Sequence, residues 1–198
     1  VAEAVVAELD RLSQRFPEDV THKVVYDTTR YVDLTIDEVM VTLGVAFLLV
    51  VFVTYIFMQD WRATMIPTLA IPVSLVGTFA VLLAMGYSIN TISLFALILA
   101  IGVVVDDAIV VVENVQRIMA EEKLDSRAAT HKAMKQISGA VIATTLVLLA
   151  VFVPVGFLPG LTGRIYQQFA VTISIAVVIS SFNALTLSPA LCAMLMRP

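Results

Sequence analysis

The sequence is poor in charge, cysteine and histidine. One cysteine, Cys192, in 198 residues excludes a disulfide framework. Two isolated histidines, His22 and His131, beside that single cysteine exclude a Cys/His zinc site. Charged residues make up 14% of the chain, against about 25% in an average soluble domain. The formal net charge is −4, which argues against a nucleic-acid binder, since those carry a basic patch. A signal peptide is absent too: the chain begins at Val1, and Glu3, Glu8 and Asp10 interrupt the apolar core that a leader needs. The sequence therefore reads as a segment of a longer polypeptide.

What is present is apolar sequence. Hydrophobic residues make up 60% of the chain and the mean hydropathy is +0.96. The runs 39–59, 63–105, 136–163 and 165–196 contain no Asp, Glu, Lys or Arg. A bilayer core needs about 20 apolar residues per helix, so the expected class is an all-α membrane protein, a polytopic helical bundle. The run 63–105, ~65 Å long if helical, spans two membrane thicknesses and must fold back. Gly86, Tyr87, Ser88, Ile89 and Asn90 supply the turn. Five spans follow, at about 39–58, 64–85, 91–112, 139–157 and 168–194, with Trp61 as an interface anchor.

Residues 1–38 are different in character. Val5, Val6, Leu9, Leu12 and Phe16 repeat at helical spacing, and Pro17 stops that helix. The stretch 21–28, with Val24, Val25 and Tyr26, reads as a strand. One helix and one strand cannot form a core alone, so this piece reads as the edge of a larger α+β domain. The stretch 113–138 is the one long connection between spans, a solvated cytoplasmic loop in which Asp125 or Ser126 caps a short helix through Ala129, Ala133 and Ile137. Arg62, Arg117, Lys123, Arg127, Lys132, Lys135 and Arg197 fall on one side of the spans, and in the short loops of the other side only Arg164 appears. The positive-inside rule then puts 1–38 outside and the C-terminus inside.

Asp106 and Asp107 carry the functional signal. They lie in the third span, Asp106 only ~6 Å from its midpoint at 1.5 Å per residue. An ionised Asp at a helix centre costs about 2.5–3.5 kcal/mol, and an intramembrane carboxylate is by default a functional site. The alternative ends the third span at Val105, with the pair at the interface. That would leave Val110, Val111 and Val112 as an exposed apolar run. One helix stripe holds Ala96, Ala100, Val103, Asp107 and Asn114, and the next holds Leu99, Gly102, Asp106 and Glu113. The small residues among them allow another helix to approach, and the coupled pair then serves as a proton relay. No Lys or Arg lies inside any span, so a cationic partner must come from elsewhere. Pro67 is placed in the first turn of its helix, while Pro72, Pro154 and Pro189 kink theirs. Cys192 reads as a small buried apolar residue, and the Met residues as gap-fillers in a bundle, with no metal site.

The segment 102–115, Gly102-Val-Val-Val-Asp106-Asp107-Ala-Ile-Val-Val-Val-Glu113-Asn114-Val, resembles the fourth-helix signature of resistance–nodulation–division (RND) transporters. Its double Asp is similar to the hydrophobe/amphiphile branch, the multidrug efflux pumps of antibiotic resistance; heavy-metal exporters usually have a small residue at the position of Asp107. Segments 26–29, 59–64, 88–91, 163–169 and 188–193 resemble family segments in the family's order.

The resemblance implies that 1–38 is the C-terminal end of a periplasmic porter subdomain, and that the spans are helices two to six of twelve. It implies a drug/proton antiporter of the bacterial inner membrane, powered by the proton gradient with no cofactor. Asp106 and Asp107 would be the proton-translocating residues, with Gly102, Glu113 and Asn114 in support. The second half of the polypeptide would complete the site. The partners implied are membrane lipid and, for the complete protein, a homotrimer with a periplasmic adaptor and an outer-membrane channel. The segment alone is expected to be inactive. Export of heavy metal or protein, or a purely structural membrane fragment, are the alternatives. An intramembrane aspartyl protease is disfavoured, since Asp106 and Asp107 diverge by ~100° on one helix.

Overall fold

A computed structural model describes residues 2–17, 20, 21, 23, 24 and 29–196, without the side chains of 2, 3, 30 and 33. By its contacts the chain divides into two units, Val1–Glu38 and Val39–Pro198. The regular structure of the described residues is entirely helical: α1 (Ala2–Ser13), α2 (Thr29–Met58), α3 (Trp61–Ala84), α4 (Thr91–Glu122), α5 (Ser126–Val155), α6 (Gly160–Leu185) and α7 (Leu187–Leu195). Helices are what apolar sequence forms in lipid, because a helix satisfies its own backbone polar groups. Five segments are long and apolar enough to cross a membrane: Leu34–Met58, Trp61–Ala84, Thr91–Glu122, Ser126–Val155 and Gly160–Leu195. The fold is thus the all-α polytopic bundle that the uncharged runs indicate.

In the first unit α1 ends at Ser13, and a turn closed by Arg15 N–H to the Leu12 carbonyl precedes Pro17. Of the strand expected at 21–28, residues 22 and 25–28 lie outside the described residues, and 21, 23 and 24 belong to no regular element.

In the second unit α4 is central, packed against α3, α5, α6 and α7. Ala96 and Ala100 of α4 are fully buried, and Ala176 of α6 nearly so; such small residues let helix backbones approach closely. From α2, Leu43, Ala46, Phe47 and Val50 reach Ile71 of α3 and Ile101 and Val105 of α4. The predicted turn between the second and third spans is built as its residues dictate. Gly86 takes φ +78°, a left-handed conformation that glycine adopts without a Cβ penalty. Tyr87 N–H bonds the Leu82 carbonyl and Gly86 N–H the Leu83 carbonyl, closing α3 with a Schellman motif. Asn90 then opens α4 with a reciprocal capping box to Ser93, at 2.9 and 3.0 Å.

The structure departs from the sequence reading in the connector, in the last span and at two further prolines. The 113–138 connector is helical except at 123–125: α4 runs on to Glu122 and α5 starts at Ser126, with Asp125 accepting from Ala128 N–H at 3.2 Å as its cap. The helices continue because Val115, Ile118 and Met119 bury against Ala129 and Ala133. The loss of apolar sequence at Glu113 marks the end of the apolar run but not of the helix. The last span is broken at Thr186. Pro189 has no N–H for the Leu185 carbonyl and its ring crowds that carbonyl, so it sits in the first turn of α7 and does not kink a continuous helix. Pro154 stands next to the end of α5, and Pro67 lies well inside α3, past its first turn.

Candidate functional site

Asp106 and Asp107 lie midway along the 32 residues of α4, about 22 Å from either end at 1.5 Å per residue. The helix continues unbroken through them. The two carboxyls differ in surroundings. Asp106 is exposed on a cleft of about 650 Å³ between α4 and α5, walled by Val103 and Val110 on one side and Ala140, Ala143, Thr144 and Val147 on the other. Asp107 also borders this cleft but is half-buried toward α6. There Ser180 donates its hydroxyl to Asp107 Oδ2 at 2.7 Å, and the same Oγ lies 3.2 Å from the Val104 carbonyl oxygen.

Several other polar groups of the spans are engaged elsewhere, while the buried hydroxyls of Ser174 and Ser188 have no partner among the described residues. Thr144 and Thr145 both return their hydroxyls to the Val141 carbonyl, at 2.9 and 2.7 Å. Ser93 belongs to the α4 cap. Asn183 donates to Ser74 Oγ at 2.8 Å, joining α6 to α3 in a buried contact. Neither Asp106 nor Asp107 forms an ion pair among the described residues, where acidic and basic side chains meet as Arg11–Glu8, Arg117–Glu121 and Lys132–Glu122. Among the described residues there is also no group of three or more His, Cys, Asp or Glu side chains placed to hold a metal ion.

The remaining candidates fall around this centre unevenly. Gly102 is exposed, and a Cβ there would meet nothing within 4 Å. Asn114, two turns beyond Asp107, accepts from Arg117 Nη2 at 2.6 Å and donates to the Ala133 carbonyl at 3.5 Å. It therefore joins α4 to α5 near the helix ends. Glu113 is exposed beside it. Sequence reasoning misses Ser180. The signal available is a row of polar residues, Ser180 and Asn183 at i and i+3, on one face of an uncharged span.

Comparison with known proteins bears on the whole chain. Residues 1–198 match the AcrB/AcrD/AcrF family. The multidrug export protein AcrF of Escherichia coli (strain K12) is 53% identical over 197 residues, covering 100% of this chain and 19% of that protein. The multidrug resistance protein MdtF of the same organism is 50% identical over 194 residues, 98% of this chain and 19% of that protein. The toluene efflux pump membrane transporter TtgB of Pseudomonas putida is 48% identical over 197 residues, 100% of this chain and 19% of that protein. The chain thus spans about a fifth of the length of the curated relatives it matches.

Proposed function

Because the chain belongs to the AcrB/AcrD/AcrF family of RND transporters, we propose that it is the part of a proton-driven drug exporter in which Asp106 and Asp107 bind and release the driving protons. The observation that carries this reading is a pair of adjacent carboxylates midway along a helix long and apolar enough to cross a membrane. A protonated carboxyl crosses apolar surroundings cheaply, whereas an ionised one at a helix centre costs about 2.5–3.5 kcal/mol. Alternation between the two forms, with access first from one side and then from the other, moves one charge down the membrane potential. Each 100 mV supplies about 2.3 kcal/mol per charge. The parent protein would exchange inward protons for outward hydrophobic and amphiphilic compounds, as the relatives named for multidrug and toluene efflux suggest.

The cation that neutralises the ionised pair would come from the four-fifths of the relatives' length that this chain does not span, and the segment alone would be inactive. Gly102, open on the α4 surface, would face that remaining part; Glu113 and Asn114 would support the end of the relay helix. The placement of Arg62, Arg117, Lys123 and Lys132 supports a membrane orientation with the α4–α5 tip in the cytoplasm and 1–38 in the periplasm. In the complete protein a homotrimer with an adaptor and an outer-membrane channel would finish the export path. The double Asp favours drug export over heavy-metal export. Its location on a single helix argues against aspartyl-protease chemistry.

The test is replacement of Asp106 or Asp107 by Asn in the complete parent protein. Drug extrusion from cells should be abolished at unchanged protein level. Extrusion retained in both variants would overturn the relay.

A further inference from the structure

Asp107 and Ser180 stand on different helices, 73 positions apart in the chain. Ser180 is 2% exposed, and its oxygen has two neighbours, Asp107 Oδ2 at 2.7 Å and the Val104 carbonyl at 3.2 Å. A serine hydroxyl has one proton to donate and two lone pairs to accept with, so it donates fully to only one of the two at a time. Ser180 is also held in place. Nearly a turn along α6 Asn183 is fixed to Ser74 of α3 at 2.8 Å, and on the other side Ala176 and Val177 are 1% exposed.

We propose that Ser180 is a positioning residue for Asp107 that serves both protonation states of its carboxyl by exchanging hydrogen-bond roles. This rests on the reading of Asp107 as a proton carrier. When Asp107 is ionised, Ser180 donates to Oδ2. When Asp107 takes a proton on Oδ2, the new carboxyl O–H donates to Ser180 Oγ, and the Ser180 proton turns to the Val104 carbonyl. Each state keeps its hydrogen bonds, and the only proton gained or lost is the one that enters or leaves Asp107. A neighbour without a hydroxyl would leave the half-buried carboxyl unpaired on that side in both states, a penalty that is larger for the charged one. Asp106 instead opens to the cleft, so the two carboxyls are inequivalent: one is latched to α6 and one faces the α4–α5 cleft.

The titratable group beside Asp107 is Asp106 on its own helix. On the helices packed around it, the charged or histidine side chains stand toward the helix ends: Arg62 on α3, Arg127, His131, Lys132 and Lys135 on α5, and Arg164 on α6, with none on α7. The early part of α2 carries Asp37 and Glu38.

The experiment is proton-driven drug transport by the complete parent protein in proteoliposomes, measured across pH for the wild type, Ser180→Ala, Ser180→Thr and Asp107→Asn. Loss of one hydroxyl that bonds the ionised form more strongly than the neutral one should move the pH of half-maximal transport by about one unit, a tenfold change in proton affinity. Ser180→Thr, which keeps the hydroxyl, should return the midpoint to that of the wild type. An unmoved midpoint in Ser180→Ala, with the rate unchanged or uniformly lowered, would overturn the proposal, because packing alone would then explain the residue. A Ser180→Thr midpoint displaced as far as that of Ser180→Ala would overturn it as well. Transport retained by Asp107→Asn would instead bring down the proton-carrier reading, whereas an inactive Asp107→Asn with an unmoved Ser180→Ala profile removes Ser180 alone.

Discussion

Arg117 fastens the ends of α4 and α5 together, and its removal has a calculable effect. Its Nη2 donates to Asn114 Oδ1 at 2.6 Å and to Gln136 Oε1 of α5 at 3.2 Å, and its Nη1 pairs with Glu121 Oε2 at 3.1 Å. The ion pair is half open to solvent, with side chains 50% and 60% exposed, so it contributes about 0.3–0.5 kcal/mol. The two bonds to neutral amides, discounted for the same exposure, contribute about 0.5 kcal/mol each. Arg117→Ala should therefore lower the local stability of the hairpin by about 1.4 kcal/mol, a factor of about ten in its opening equilibrium. Hydrogen exchange of the purified complete parent protein, followed by mass spectrometry, reads that quantity directly. Backbone amides of 113–122 and 126–138 should exchange about tenfold faster, while those of 39–58 keep their wild-type rates. Arg117→Lys, a point charge without the planar fork, should fall between. If 113–138 exchanges as a free connector already in the wild type, or if Arg117→Ala leaves it unchanged, the helical hairpin and its lacing are wrong.

Three further outcomes are expected. A Cβ at Gly163 would collide with the Leu158 backbone carbonyl, whereas one at Gly139 meets nothing within 4 Å. Gly163→Ala should thus lower the thermal unfolding midpoint of the parent protein, by an overpacking cost of about 1–3 kcal/mol, and Gly139→Ala should not; equal midpoints would refute the contact. Cys192 is 0% exposed, so a membrane-permeant maleimide should label it only after denaturation in detergent, and rapid labelling of the native protein would refute its burial. Arg62→Glu should disturb membrane topology more than Arg164→Glu, since only Arg62 lies on the proposed retained side. Cysteines introduced at 113–135 that react with an impermeant reagent from outside the cell would reverse the orientation.

The spans are legible because hydropathy is a local property: each uncharged run reports its helix without reference to any other. The same locality explains what is missed. From Glu113 onward, charged residues hide the stripe of Val115, Ile118 and Met119, and only the presence of Ala129 and Ala133 opposite makes that stripe a buried face. The break at Thr186 depends on whether a proline is tolerated within a helix or starts a new one, a choice that neighbouring helices settle. At the candidate site the two carboxyls are conspicuous against an apolar background. Ser180 is not, because most hydroxyls in this bundle bond back to their own helix, as Thr78 does to the Ser74 carbonyl and Thr172 to the Gln168 carbonyl. Only the packing of α6 on α4 distinguishes it.

The attachment of α2 to later helices has a consequence for how the bundle is made. Among its contacts in the second unit is a row of long side chains, Leu43, Phe47 and Val50 with Ala46, against residues of α3 and α4. Much of its remaining surface, Leu48, Leu49, Phe52 and Phe57 among it, is exposed. Of the five spans, α2 leaves the ribosome first, so α3 and α4 are synthesised after it. A span with mean hydropathy 2.6 is at ease alone in lipid, where its backbone is already satisfied. It can wait there as an independent unit while α4 and α6 find each other. Among these five spans, α2 thus meets α3 and α4 only after it has settled in the lipid as an independent helix.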